Sequence, residues 1–160
     1  FHYYLPMLLS HYKMLAWVGY QGAVQYPGVV IPTQSDADKY PQYASFHKTT
    51  YNADRIMGEM SNAASDGRNA GLAVHCGEFG CSKNVAEAMR LAWFTDMVAA
   101  MEANNIPWTL WECLDGGFGF VDMEYGIYRI NCPLLKVLTG KELTDAEAKV
   151  LLQKYGFKTE

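Results

Sequence analysis

A ten-residue stretch, LAVHCGEFGC at Leu72–Cys81, most constrains how this chain can fold. Its apolar start, LAV, predicts a buried parallel strand that ends on a carboxylate, Glu78. Gly77 allows another backbone or a ligand to come close, and Gly80 allows the chain to turn off the strand. An acid at the carboxyl end of a buried strand is where α/β barrels place their chemistry. Glu78 is therefore a candidate catalytic residue, with a helix cap or a solvated turn as the alternative.

The composition indicates a globular chain that forms a single domain over residues 1–160. Half of the residues are hydrophobic and 19% are charged, which suits a packed core. The net charge of -4 and the lack of a Lys/Arg cluster argue against nucleic acid as a partner. No apolar run approaches the ~18–20 residues of a membrane helix, so no membrane contact is expected. The start at FHYYLP, with no methionine and no signal peptide, is interpreted as a cut end.

The four cysteines point to packing rather than to a metal. Cys76, Cys81, Cys113 and Cys132 match no zinc-binding spacing, so neither a metal nor a cofactor is expected. Cys76 lies inside the apolar stretch and is predicted to be a small buried hydrophobe. One or two disulfides remain compatible with an oxidising compartment.

The hydrophobic periodicity predicts strands that alternate with helices. Strands are predicted at residues 1–5, ended by Pro6, at the stretch around Glu78, and at residues 106–113. Helices are predicted at residues 44–65, 84–105, 133–139 and 144–155, with Ser45, Asn84 and Thr144 or Asp145 as caps. Residues 7–42 are predicted to be a loop, because glycine and proline recur there. This order implies a parallel α/β sheet with right-handed crossovers.

Strand alternation groups the polar and aromatic side chains by face. It places His2 and Tyr4 on one face of the first strand, where they could hydrogen-bond a carboxylate or a sugar hydroxyl. An ordinary half-buried strand would show the same pair. In the third strand Trp111 shares a face with Thr109, whereas Glu112 points the other way.

The predicted loop is rich in aromatic residues. Such rings can cover the apolar faces of sugars, with Trp17 as the foremost candidate, or they can pack the loop onto its own core. Both interpretations stay open for the set, which is Trp17, Tyr20, Tyr26, Tyr40 and Tyr43.

Three segments resemble one enzyme family. They are HYYLP at residues 2–6, GEFG at 77–80, and PWTLWE at 107–112 followed by Phe118-Gly119. Together they resemble the C-terminal part of glycoside hydrolase family 5, the cellulase family on a (β/α)8 barrel. The resemblance implies an α/β fold that is a partial TIM barrel. It would be half-barrel-like, with about three β/α units, strands 6–8 of parallel sheet, and flanking helices.

The resemblance also implies roles for four residues. Glu78 would be the catalytic nucleophile, and His2 and Tyr4 would orient it and contact substrate. Trp111 would be the platform under the sugar at the cleavage point. The implied activity is retaining hydrolysis of β-1,4-glucan, of the endoglucanase type, by a secreted, extracellular protein. The partner would be a β-glucan or a related polysaccharide or oligosaccharide.

One part of the family pattern is absent from the sequence. The family's acid/base glutamate sits in an Asn-Glu-Pro motif, which these 160 residues do not contain. A retaining glycosidase needs a second carboxyl group about 5–5.5 Å from the nucleophile. Glu112 is predicted to face away. Asp115 and Asp122 lie in or after a glycine-rich turn at residues 115–120 and could swing inward. The acid/base residue is thus unknown, and weak or absent activity is expected of the chain alone.

The same shortage of strands predicts self-association. About three parallel strands leave two sheet edges and an apolar inner face open, which a homo-oligomer would cover. Two alternatives to an enzyme remain. The chain could be a non-catalytic carbohydrate-binding module that uses Trp111, Trp17 and the loop tyrosines, or a structural fragment that folds by oligomerising and has no ligand.

Overall fold

A computed structural model describes residues 1–14, 19–114 and 116–160 of the chain. The first half contains β1 (His2–Tyr3), α1 (Met7–Ser10), β2 (Gly28–Val29), α2 (Gln34–Lys39), a 3₁₀ helix (Pro41–Lys48), β3 (Thr50–Tyr51) and α3 (Ala53–Ala70). The second half contains β4 (Cys76–Phe79), α4 (Glu87–Ala103), β5 (Trp108–Leu110), β6 (Val121–Glu124), β7 (Ile127–Ile130), α5 (Cys132–Thr139) and α6 (Asp145–Lys154).

A three-stranded parallel sheet organises the fold, with β4 between β1 and β5. In its register His2 lies opposite Glu78, and Cys76 lies opposite Trp108. The predicted parallel α/β sheet is therefore confirmed. Its register places the carboxyl end of β1 directly beside the glutamate of β4.

One face of this sheet is covered by helices. Phe79 of β4 is fully buried, and its ring lies 5.8 Å from Phe94 and 6.2 Å from Trp93 of α4. Trp108 of β5 packs edge-on against the same phenylalanine, at 5.3 Å. Because successive side chains of a strand point to opposite faces, Glu78 projects away from this helix layer.

The strand at Leu72–Cys81 begins later than the sequence predicts. Pairing starts at Cys76, and Leu72 is 69% exposed, so the prediction that LAV is a buried strand is wrong. Val74 packs against α3 instead, where a Cβ on Gly67 would lie 2.2 Å from a methyl of Val74. The apolar start thus contacts the end of the preceding helix rather than a neighbouring strand.

The predicted helix over residues 44–65 is replaced by three elements. A 3₁₀ helix and β3 occupy its start, and α3 begins only at Ala53. The cap is Asn52, whose side chain accepts a hydrogen bond from the Arg55 N–H at 3.0 Å, and not Ser45. The predicted loop over residues 7–42 likewise contains the short elements α1, β2 and α2.

The later helices follow the sequence prediction more closely. Helix α4 begins at Glu87, and Asn84 does not cap it but donates to the Tyr12 carbonyl at 3.2 Å. Helix α6 starts with the expected cap, because Thr144 and Glu147 form a capping box. The antiparallel hairpin β6–β7, residues 121–130, was not predicted.

All four cysteines are free thiols in the structure, with Cys76 and Cys81 buried. The expected burial of Cys76 is confirmed, and no disulfide joins any of the four. None of the described helices combines the length and the hydropathy that a membrane span requires.

Candidate active site

Glu78 is held by two side chains from the neighbouring strand β1 and the residues that follow it. The Tyr4 hydroxyl donates to Glu78 Oε2 at 3.0 Å, and His2 Nδ1 lies 3.3 Å from the same oxygen. Both contacts follow from the register that sets His2 opposite Glu78. Among the described residues, no hydrogen bond is made to Oε1. The carboxylate is 30% exposed, so it is oriented by the protein and still open to solvent.

The two glycines that flank Glu78 permit close contacts, as the sequence predicts. A Cβ on Gly77 would lie 3.2 Å from His2 Nε2, so the imidazole rests against this glycine. A Cβ on Gly80 would lie 2.2 Å from the Trp111 carbonyl oxygen, a distance that side chains do not tolerate. Glycine at both positions therefore lets β4 fit between the imidazole of His2 and the backbone of Trp111, just after β5.

Tyr4 is fixed by a cage of rings that sequence reasoning missed. Its ring makes edge contacts with His11 at 4.9 Å and with Phe118 at 6.1 Å. Burial raises the pKa of Tyr4 well above its usual range, and the hydrogen bond to Glu78 raises it further. The hydroxyl therefore stays protonated and continues to donate to the carboxylate. The histidine lies in the predicted loop, where no periodicity marked it.

Trp111 is joined by a backbone hydrogen bond to Phe79, the residue that follows Glu78. Its N–H donates to the Phe79 carbonyl at 2.9 Å, and the residue is 45% exposed. Trp17 lies outside the described residues. The structure thus brings together Glu78, His2 and Tyr4 and sets an exposed indole one strand away.

The three candidate acids differ in their surroundings. Strand β5 ends at Leu110, so strand alternation does not extend to Glu112. Its charge is the smallest of the causes that raise the pKa of Tyr4, after burial and the hydrogen bond to Glu78. Its Oε1 is buried and has no hydrogen-bond partner among the described residues, and a Cβ on Gly116 would overlap it.

The structure gives no support for Asp122 or Asp115 as the acid/base residue. Asp122 pairs with Lys83, with 2.8 Å between Oδ1 and Nζ, so it is engaged in an ion pair. Asp115 lies outside the described residues. Of the described candidates, Asp122 is therefore engaged by a lysine, whereas Glu112 keeps an unpartnered Oε1.

A buried arginine ties together the two loops beside the site. Arg90 of α4 donates from Nε to the Cys81 carbonyl at 2.8 Å, and from Nη2 to the carbonyls of Phe118 and Gly119 at 2.5 and 2.9 Å. Burial lowers the pKa of its guanidinium. The arginine links the chain just after β4 to the glycine-rich turn that carries Phe118.

Two of the loop aromatics pack the loop onto the core. Tyr20 and Tyr26 are almost fully buried, and the Tyr26 hydroxyl donates to Asp96 Oδ2 at 2.5 Å. For these two residues the packing interpretation is confirmed. Tyr40 and Tyr43 are only half-buried and pack against the same core.

Comparisons with known proteins point to one family. The family model for cellulase, glycosyl hydrolase family 5, matches residues 1–117. Endoglucanase C of Acetivibrio thermocellus and Endoglucanase C307 of Clostridium sp. strain F1 are each 22% identical over 135 residues. That alignment covers 80% of this chain and 37% of each relative.

Solved structures show a similar fold. The cellulose synthase subunit Z of Clostridioides difficile has a TM-score of 0.61 at 20% identity, over 87% of this chain and 39% of that chain. Thermotoga maritima Cel5A, solved in complex with cellobiose, has a TM-score of 0.56 at 20% identity, over 86% of this chain and 37% of that chain. The chain thus spans less than half the length of the proteins it matches.

Proposed function

The chain belongs to the cellulases of glycosyl hydrolase family 5, and on this basis we propose that Glu78 is the nucleophile of a retaining β-1,4-glucan hydrolysis. The observation that carries the proposal is the pair of contacts on Glu78 Oε2. Tyr4 and His2 hold that oxygen and leave Oε1 free to attack an anomeric carbon. The attack would form a glycosyl ester on Glu78, which water then hydrolyses.

The substrate class rests on the relatives and on Trp111. The relatives are named endoglucanases, and one solved neighbour was studied with cellobiose. The exposed indole of Trp111 is proposed to stack against the apolar face of the glucose unit at the cleavage point. The parallel sheet β1–β4–β5 is proposed to correspond to strands 6–8 of the family's barrel, with His2 and Tyr4 as substrate contacts.

Weak or absent activity of these 160 residues on cellulose follows from the missing acid. The sequence has no Asn-Glu-Pro motif, and the structure shows Asp122 in an ion pair and Glu112 Oε1 enclosed. A general acid that protonates the departing oxygen contributes roughly 10²–10⁴-fold in rate. A leaving group that departs without protonation would avoid this requirement.

We therefore expect the chain to cleave 2,4-dinitrophenyl β-cellobioside but to act at least roughly 10²-fold more slowly on cellotetraose. The two rates are measured side by side, with the Glu78→Gln variant as the background. A wild-type rate on the dinitrophenyl substrate no higher than that background would contradict the proposal. Binding of cellotetraose without cleavage of either substrate would instead support the non-catalytic carbohydrate-binding alternative.

A homo-oligomer is the second part of the proposal. The outer edges of β1 and β5 have no partner strand among the described residues, and Phe1, Leu5 and Met7 are exposed near β1. Pairing between copies would cover these edges and this apolar surface. Size-exclusion chromatography with light scattering is expected to give a multiple of 18.0 kDa. A stable species of 18.0 kDa across the concentration range would count against self-association.

A further inference from the structure

A cavity between the hairpin β6–β7 and helix α6 has no role in the proposed hydrolysis. Its volume is about 470 Å³, which is within the range of sites for small molecules. It is lined by residues 128–130 of β7, by one face of α6 and by residues 159–160. The Tyr128 N–H donates to the Lys158 carbonyl at 2.8 Å, which holds the segment after α6 beside β7. The cavity is thus built wholly from residues beyond 1–117, the part that the family model matches.

Helix α6 gives the cavity an apolar floor and a polar rim. Its lining residues are Asp145, Ala148, Lys149 and Leu152, which have the spacing of one helix face. Ala148 and Leu152 are buried, whereas Asp145 and Lys149 are exposed. Such a lining can cover the carbon–hydrogen surface of a ligand and hydrogen-bond the polar groups at its edge.

The charges at the rim of the cavity balance. Asp145 and Lys149 belong to α6, and Arg129 of β7 forms an ion pair with Glu160. An ionic ligand would require a surplus of the opposite charge, and this lining has none. The residues that the structure describes include no group of acidic, histidine or cysteine side chains that could hold a metal ion. Because hydroxyl groups both donate and accept, a neutral ligand with many hydroxyls matches this mixture of donors and acceptors.

A second cavity, of about 370 Å³, shares the Arg129–Glu160 pair with the first and is also lined by Tyr125. Tyr125 lies at the tip of the hairpin and is 95% exposed. Its φ is 50°, in the left-handed region where hairpin turns favour glycine, asparagine or aspartate. A ring this exposed gains little from packing within the protein, so its presence at a strained position favours contact with a ligand.

We propose that the two cavities together form a non-catalytic binding site for a stretch of β-1,4-glucan, which we name the hairpin site. The lining supports a neutral sugar chain, and the choice of β-1,4-glucan rests on the proposed function. The ring of Tyr125 covers the apolar face of one glucose unit. Lys149 and Arg129 donate hydrogen bonds to hydroxyl groups of the neighbouring units.

The hairpin that carries this site is attached to the rim of the proposed cleft. The Val121 N–H donates to the Cys113 carbonyl at 3.0 Å, two residues after Trp111. Lys83, which follows β4, pairs with Asp122 at 2.8 Å. Strand β6 therefore starts beside the segments that follow β4 and β5, and a glucan on the hairpin site is held next to the cleft.

The test measures cellohexaose binding to the Glu78→Gln chain, in which no turnover interferes. Hydrogen–deuterium exchange gives a local Kd, from the cellohexaose concentration that slows exchange in the peptide over residues 121–130. Tyr125→Asn removes the ring and suits the left-handed turn, and Lys149→Ala removes a donor and suits a helix. We expect each change to raise the local Kd roughly fivefold or more, because it removes a ring contact or a charged hydrogen bond.

Tyr155→Asn and Lys154→Ala are the matched controls. Both residues are exposed at the end of α6, and neither lines either cavity in the structure. The local Kd of each control should equal that of the Glu78→Gln parent.

The outcomes separate the hairpin site from the proposed function. Unchanged exchange over residues 121–130 at millimolar cellohexaose would overturn the site, and so would a Kd within about twofold of the parent in either Tyr125→Asn or Lys149→Ala. Equal protection by maltohexaose, an α-1,4-glucan, would overturn the assignment to a β-1,4-glucan. A chain that protects the hairpin with cellohexaose but forms no ester on Glu78 would contradict the nucleophile and retain the binding site.

Discussion

Glu78→Ala is expected to lower kcat/KM for 2,4-dinitrophenyl β-cellobioside by roughly 10⁴-fold or more, as is usual when a nucleophile is removed. The good leaving group removes the need for an acid, so the remaining barrier lies in the attack on the anomeric carbon. Tyr4 and His2 keep their places in the variant, since His2 is held by backbone pairing of β1 with β4 and Tyr4 by its ring contacts. The measurement is dinitrophenolate release at saturating and limiting substrate.

Azide should restore part of the rate lost in Glu78→Ala, and the anomeric configuration of the product should show from which face it attacks. The anion fits the space left by the carboxylate and attacks the same face of the sugar, which gives the α-cellobiosyl azide. Wild type in azide should give the β product, because two displacements retain the configuration. The control is Glu124→Ala on the exposed hairpin strand β6, which should behave as wild type. Unchanged activity in Glu78→Ala, or a β product from it, would contradict the assignment.

Arg90→Met is expected to lower the free energy of unfolding by about 3–5 kcal/mol, because buried hydrogen bonds from a charged group are lost. Arg90 is only 5% exposed, and its loss leaves the carbonyls of Cys81, Phe118 and Gly119 without their charged donor. Hydrogen bonds from charged groups contribute about 1.5–3 kcal/mol each, and unpaired buried carbonyls add a desolvation cost. Methionine fills part of the volume but donates nothing. Urea denaturation measures the change.

Arg68→Met is the matched control for this prediction. Arg68 is exposed near the end of α3, so its replacement should change the free energy of unfolding by less than about 0.5 kcal/mol. A loss below about 1 kcal/mol in Arg90→Met would mean that solvent satisfies the three carbonyls. Contacts other than the hydrogen bonds from Arg90 would then hold the glycine-rich turn in place.

The sequence could predict that His2 and Tyr4 contact Glu78, because the signals for this arrangement are local. An apolar stretch, a carboxylate and two glycines occur within Leu72–Cys81, and the two-residue spacing of His2 and Tyr4 sets them on one face. The predicted start of β4 is wrong because the apolar side chain of Val74 packs against Gly67 of α3 and not against a neighbouring strand. Hydrophobic periodicity indicates that a residue is buried, but it does not indicate which helix or strand covers it.

The parts that sequence did not predict depend on unusual turns and distant partners. The β6–β7 hairpin turns at Tyr125 and Gly126, both with positive φ, and tyrosine is not a residue that signals such a turn. His11 and Phe118 meet on Tyr4 across more than a hundred residues of chain. Asn84 has the sequence spacing of an N-cap for α4, but its side-chain amide donates a hydrogen bond to the Tyr12 carbonyl instead. Such contacts are set by tertiary packing.

The most direct test of the account is to find which residue becomes covalently glycosylated. Wild type is incubated with the fluorinated dinitrophenyl cellobioside, digested, and mapped by mass spectrometry, with Glu78→Gln in parallel. The account predicts one label per chain on the peptide that contains Glu78, and none in the variant. A label on Glu112 or another carboxyl group, or an unlabelled wild type, would contradict it.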